Sequence, residues 1–185
     1  SKVDDTTITA TITDGVDVDE STIAKSDISL STGSISSIST TENCANTDVT
    51  LNLNSAIDTS SVDISIVSAI DDTSGNSLSS GIKTVSNMDG VAPTLDAASK
   101  ADTTTINVDI SDGGSGIEKT SIDSGDFSLD SGSISSIDTS GVTDGATGTQ
   151  TVVISLSSPV DADTVFVSLQ ADGIADKAGN SLATG

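Results

Sequence analysis

The chain predicts an all-β protein built from two antiparallel β-sandwich modules in tandem, and three observations carry that prediction. The sequence is written twice: Ser1-Lys2-Val3-Asp4-Asp5-Thr6-Thr7-Ile8 returns as Ser99-Lys100-Ala101-Asp102-Thr103-Thr104-Thr105-Ile106, and Gly33-Ser34-Ile35-Ser36-Ser37-Ile38 recurs unchanged from Gly132 to Ile137. Its best segments alternate strictly between apolar and polar residues, the period of a strand buried on one face. No window carries apolar residues at helical spacing, and the Ser, Thr and Asp load competes with helix interiors through local hydrogen bonds.

The elements of one copy follow in order. Ile8, Ala10 and Ile12 alternate with threonines in a strand over residues 4–14, matched in the second copy by Ile106, Val108 and Ile110. Short strands are expected at 27–31 and 34–40. Val49, Leu51 and Leu53 place the next at 48–54, answered by Val152, Ile154 and Leu156. Val62, Ile64 and Ile66 place another at 62–69, answered by Val165, Val167 and Leu169, and a last strand is expected at 80–86. Gly, Asp, Asn and Ser clusters between them are turn chemistry. With an initial strand added, each copy has about seven strands in about 90 residues, the size of an Ig-like sandwich. The core is small and aliphatic, with Phe127 and Phe166 the chain's two aromatic residues, so each module buries limited apolar area.

The repeat sets the domain boundaries at 1–90 and 91–185. Residues 94–98 read as the opening strand of the second copy, and no counterpart precedes Ser1; residues 82–86 read as the closing strand of the first copy, and no counterpart follows in the second. The expectation is therefore a first module lacking its first strand and a second lacking its last. Either the chain is a piece of a longer array, or subunits exchange strands through open sheet edges. The expected partners are thus other copies of the chain or neighbouring modules.

Composition excludes several functions. There are 28 acidic residues against six lysines, a net charge of −22, and no arginine or histidine. Without histidine, Ser-His-Asp and Cys-His nucleophile arrangements are impossible, and no segment supplies a nucleophile elbow. The chain is not expected to be an enzyme. Nucleic acid needs a basic footprint that is absent. An anionic membrane surface would repel the chain, and no stretch is long and apolar enough to insert. Excess acid suits concentrated salt, where screening removes self-repulsion, although turn-forming Asp accounts for much of the total, since only three acids are Glu.

Metal binding is the open chemical question, because calcium takes six to eight oxygens from carboxylates, carbonyls and water. Asp14, Asp17, Asp19 and Glu20 put four carboxylates in one short loop, of which the second copy keeps Asp112 and Glu118. Asp71, Asp72 and Asn76 form a second group, with Asp176 and Asn180 as its echo, and Asn87 and Asp89 lie at the junction of the copies. Two readings stand side by side: calcium as cofactor, or Asp and Asn closing turns on their own backbone, with Gly75-Asn76 and Gly179-Asn180 at positive-φ positions.

Ala92-Pro93-Thr94, Asp112-Gly113-Gly114-Ser115-Gly116-Ile117 and Asp176-Lys177-Ala178-Gly179-Asn180 together resemble the Ig-like (Big-type) tandem repeats of bacterial and archaeal surface-layer proteins and adhesins. Residues 14–20 depart from that pattern, lacking the Ser-Gly-Ile run. The resemblance implies an Ig-like fold and an extracellular, cell-surface location, and implies no ligand. Cys44 is the single cysteine, so no internal disulfide forms and redox compartment is not readable; it falls in a variable loop expected at 40–48. None of the eight asparagines begins an N-x-Ser/Thr sequon. The leading expectation is a structural segment of a surface-layer or filament assembly. The alternatives are a calcium-stiffened adhesin stalk and an accessory module of a secreted enzyme.

Overall fold

The structure, a computed structural model, describes residues 1–43, 46–78, 81–161, 164–171 and 173–182. It is all-β, in antiparallel sheets, and falls into two compact units, Ser1–Gly90 and Val91–Gly185.

The first unit holds β1 (Lys2–Asp4), β2 (Thr7–Thr13), β3 (Ile28–Leu30), β4 (Ile35–Asn43), β5 (Asn46–Leu53), β6 (Ser61–Ile66) and β7 (Ile82–Ser86). One sheet runs β1-β2-β5-β4 and the other β3-β6-β7, which is the strand order of a constant-type Ig sandwich. Alternation decides which face is buried. In β5 every second residue from Thr47 to Leu53 is buried, and Ile8, Val49, Leu51, Val62, Ile70 and Met88 close the core between the sheets. Each such aliphatic side chain contributes about 1.5–3 kcal/mol by leaving water.

The second unit repeats the plan with β8 (Thr94–Asp102), β9 (Thr105–Asp112), β10 (Phe127–Leu129), β11 (Ile134–Asp138), β12 (Gly148–Leu156) and β13 (Val167–Leu169). Its larger sheet runs β8-β9-β12-β11 and its smaller one β10-β13. Ile106, Val108, Ile110, Ile117, Val152, Ile154 and Ile174 fill its core.

Three differences from the sequence reading have local causes. The strand expected over 4–14 is a hairpin: Asp4 accepts hydrogen bonds from Thr6 N (2.8 Å) and Thr6 Oγ1 (3.2 Å), which turns the chain and gives the first unit a short first strand, β1, paired with β2. Asp102 and Thr104 build the same turn between β8 and β9. The loop expected over 40–48 is largely strand, because Thr41, Glu42 and Asn43 pair with Asp48, Thr47 and Asn46; Cys44 lies outside the described residues. Finally, the connections β2–β3 and β9–β10 contain unforeseen 3-10 turns, Glu20–Thr22 with Lys25–Asp27 and Lys119–Ser121 with Ser124–Asp126.

Candidate functional site: the acidic pole of each unit

At one pole of the first unit the structure brings two of the sequence-predicted clusters together. The β2–β3 loop meets the turn after β6 through a bridge between Val18 and Asp72, with Asp19 N donating to Asp71 O and Thr73 N to Asp17 O (both 2.8 Å). The second unit repeats this: Ile117 bridges Asp176, Glu118 N donates to Ala175 O (2.8 Å) and Lys177 N to Gly116 O (3.0 Å).

The carboxylates at these poles face donors of their own turns. Buried Asp72 accepts Ser74 N (2.8 Å) and Asn76 N (2.7 Å) on Oδ1 and Asn76 Nδ2 (2.8 Å) on Oδ2. Asp176, fully buried, accepts Ala178 N (2.8 Å), Asn180 N (2.9 Å) and Asn180 Nδ2 (2.7 Å) in the same way. Gly75 and Gly179 supply the positive φ (83° and 92°) inside each turn, a conformation costly for residues with a Cβ. The Asn76 side chain, more than any other group, holds the Asp72 carboxyl below its usual range, because hydrogen bonds to the charged form favour it. The Asp72 turn is therefore a staple that works with the acid ionised, and the Asp176 turn has the same hydrogen-bond plan.

The remaining predicted residues are placed as follows. Asp14 accepts Gly15 N (2.6 Å), and Asp19 caps the 3-10 turn by accepting Ser21 N (3.0 Å) and Ser21 Oγ (2.6 Å). The Asp17 side chain is exposed. Glu20 reaches across to β4, where Oε2 accepts Thr40 Oγ1 (2.9 Å), while Oε1 is buried with no hydrogen-bond partner among the described residues. Asp71 accepts Ser77 Oγ (2.6 Å). Asp14, Asp71 and Asp72 line a cavity of about 10 Å³ with Ile12, Val18, Ile70 and Leu78, about the least that holds one water. Asp112 Oδ2 accepts Gly116 N (2.6 Å) and Gly114 N (3.2 Å), so the Gly-Gly-Ser-Gly run is folded onto its own aspartate.

Glu118 sits 3.8 Å from Lys177 Nζ, which pairs more closely with Asp144 (2.8 Å). The lysine hydrogen bond holds the Asp144 carboxyl low, and Asp144 holds the lysine above its usual value. Asn87 and Asp89 part company: Asn87, exposed, takes a left-handed backbone (φ 56°) after β7, and Asp89 is buried, its carbonyl accepting Lys2 Nζ (3.1 Å).

The sequence reading passed over Asp27 and Asp126. Each is buried and closes a 3-10 turn, Asp27 Oδ2 accepting Ala24 N (2.8 Å) and Asp126 Oδ2 accepting Asp123 N (2.7 Å). Their signal was present in Thr22-Ile23-Ala24-Lys25-Ser26-Asp27 and Ser121-Ile122-Asp123-Ser124-Gly125-Asp126, where an apolar residue and an Asp recur at one spacing. Burial pushes the Asp126 carboxyl above its ordinary value.

Over 68 residues, 36% of its length, the chain is 48% identical to halomucin of Haloquadratum walsbyi, and the matched stretch is about 1% of that protein. No protein-family model matches the chain, and no solved structure matches it. Among the described residues no helix is long and apolar enough to cross a membrane.

Proposed function

We propose that this chain is a non-enzymatic structural segment of a cell-surface protein, built from tandem Ig-like modules and working in concentrated salt. The observation that carries this reading is the duplication of chemistry with fold. Asp72 and Asp176, Asp27 and Asp126, and Asp4 and Asp102 each close the same turn in both units. Acids repeated as staples serve a module made to be strung in series. The similarity to halomucin, by its name a mucin of a salt-loving organism, supports the surface and the salt. The sequence resemblance to surface-layer and adhesin repeats points the same way. An antibody raised against the chain should label intact, unpermeabilised source cells in their own brine. Labelling only after lysis overturns the proposal.

A further inference from the structure

The first unit's two sheets are unequal along one side. The larger sheet ends in β4 and the smaller in β3, each paired on one edge, β4 with β5 and β3 with β6. In this constant-type order the smaller sheet stops where a variable-type sandwich carries further strands beside the equivalent of β3. Burial shows the consequence. Ile35 and Ile38 on β4, and Leu30 on β3, pack against the core but stay partly exposed, whereas Val49 and Leu51 on the neighbouring β5 are fully buried.

A groove of about 310 Å³ lies along this side. Ile28, Leu30 and Ile35 form its apolar lining, Gly33 and Ser34 close it where the chain crosses from β3 to β4, and Lys25 borders it. The 3-10 turn Lys25–Asp27 packs against β4, and Lys25 Nζ donates to Ser36 O at 3.5 Å, the long limit for such a bond. Lys25 is exposed, and among the described residues no carboxylate lies within ion-pair distance of it. In a chain with 28 acids to six lysines, this groove offers an ammonium group to a carboxylate from outside.

The backbone beside the groove is open in register with it. Ser31 N donates to Asp63 O (2.9 Å) and Val67 N to Asp27 O (2.8 Å), so residues 27, 29 and 31 face β6. Backbone groups alternate along an antiparallel strand, so those of Ile28 and Leu30 face the other way. Lys25 O accepts Ile28 N. Ile28 O, Leu30 N–H and Leu30 O remain along an edge where no strand pairs among the described residues. The second unit keeps the turn but exchanges the groove's chemistry. Asp126 closes its 3-10 turn as Asp27 does, which sets Ser124 at the position of Lys25. Phe127 pairs with Leu169 as Ile28 pairs with Ile66, so a larger, buried ring stands in place of Ile28.

We propose that the β3 edge and its groove take an extended acidic segment of a separate polypeptide as an added strand of the first unit. The segment pairs with Ile28 O, Leu30 N–H and Leu30 O, and brings a carboxylate to Lys25. Its alternate side chains point to one face, and aliphatic residues there cover Ile28, Leu30 and Ile35. Main-chain pairing gives such a site affinity, and the side-chain seats give it selectivity. The inference stands apart from the cell-surface reading, and each can fail without the other.

The probe is a synthetic peptide with the sequence of residues 46–54, in which Val49, Leu51 and Leu53 alternate with polar residues and Asp48 supplies the carboxylate. It is titrated into the whole chain in the least sodium chloride that keeps the chain folded, and amide exchange is followed by NMR. At a peptide concentration about ten times its dissociation constant, exchange at Leu30 is expected to slow about tenfold. Leu129, the equivalent residue of the second unit, is expected to be unchanged. The peptide carrying Asp48→Asn is expected to bind about threefold more weakly. Ile28→Phe in the chain, which copies the second unit, is expected to abolish the protection. No protection at Leu30, equal protection at Leu129, or equal binding of the two peptides overturns the proposal, as does undiminished protection in Ile28→Phe. Protection that grows with chain concentration in the absence of peptide assigns the edge to a second copy and also overturns it. Should Ile28→Phe fail to fold, the comparison of Leu30 with Leu129 in the unaltered chain decides.

Discussion

Replacing Met88 with alanine tests whether the segment after β7 is core or merely linker. Met88 is fully buried among Ile8, Ile57, Val62 and Val85 of the first unit's core, and its N–H is tied to Ser60 O. Truncation of a fully buried methionine costs about 2–5 kcal/mol, made up of lost transfer energy and the cavity left behind. A value of about 3 kcal/mol suits a site framed by backbone hydrogen bonds that limit collapse. A unit of this size has a total stability of about 4–14 kcal/mol. A loss of about 3 kcal/mol then lowers its melting temperature by about 12–24 °C. The assay is differential scanning calorimetry of the whole chain in concentrated salt, with Ile154→Ala, in the second core, assigning the other transition. Only the first unit's transition should move in Met88→Ala. A shift below about 4 °C, equivalent to about 1 kcal/mol, refutes the placement of Met88 in the core.

Three further predictions follow from charge and turns. With a net charge of −22 and screening that shortens from about 10 Å at 0.1 M to about 3 Å at 1 M salt, both transitions should rise steeply with sodium chloride; a flat response refutes salt adaptation. Asp72 and Asp102 have their folded values lowered by Asn76 and Thr104, so their stabilisation is present above the ordinary carboxylate range and is lost as pH falls through the lowered values. Asp126 runs the other way: burial raises it, so its charged form destabilises the second unit at neutral pH, and that penalty is lost as pH falls through the raised value toward the ordinary carboxylate range. Asp126→Asn should remove this mild-acid gain in denaturant midpoint, and an unchanged pH profile refutes it. Because Asp72 and Asp176 already receive three donors each, millimolar calcium at fixed ionic strength should move neither melting temperature by more than about 1 °C, and a saturable rise refutes that.

Strands were legible where one face is buried and turns where they repeat. The alternation through Val49, Leu51 and Leu53, and through Val152, Ile154 and Leu156, fixed both central strands because each apolar residue had to reach the core. The Asp4 hairpin was not legible, since Asp-Asp-Thr-Thr interrupts no apolar pattern and the turn depends on one carboxylate folding onto Thr6. The loop expected around Cys44 failed for a related reason. Residues 40–43 are polar on both faces, so their pairing comes from the β5 backbone and leaves no periodic trace. For the candidate site, the sequence located the acids but not their partners. Asp72 reads equally as a calcium ligand or a turn until its oxygens are seen on Ser74 N and Asn76. Asp126 was marked only by the spacing from an apolar residue that it shares with Asp27, because nothing else in a polar 3-10 turn sets one aspartate apart as buried.

The same substitution of partner runs along the exposed sheet faces. A chain with six lysines cannot pair its strand carboxylates with ammonium groups in the usual way. Here threonine hydroxyls do it instead: Thr11 donates to Asp48 (2.6 Å), Thr84 to Asp63 (2.6 Å) and Thr151 to Asp109 (2.7 Å), each across a strand pair. A Thr–Asp pair aligns the strands as a cross-strand contact should but neutralises no charge, so the repulsion among acids remains and is left to the solvent's ions. Ion pairs weaken as salt is added, whereas a hydroxyl held on a carboxylate is a short-range contact between a dipole and a charge, which salt screens far less. The arrangement therefore loses little in brine and is weakest in dilute buffer, which is why the salt dependence should appear in both units together rather than in the one richer in lysine contacts.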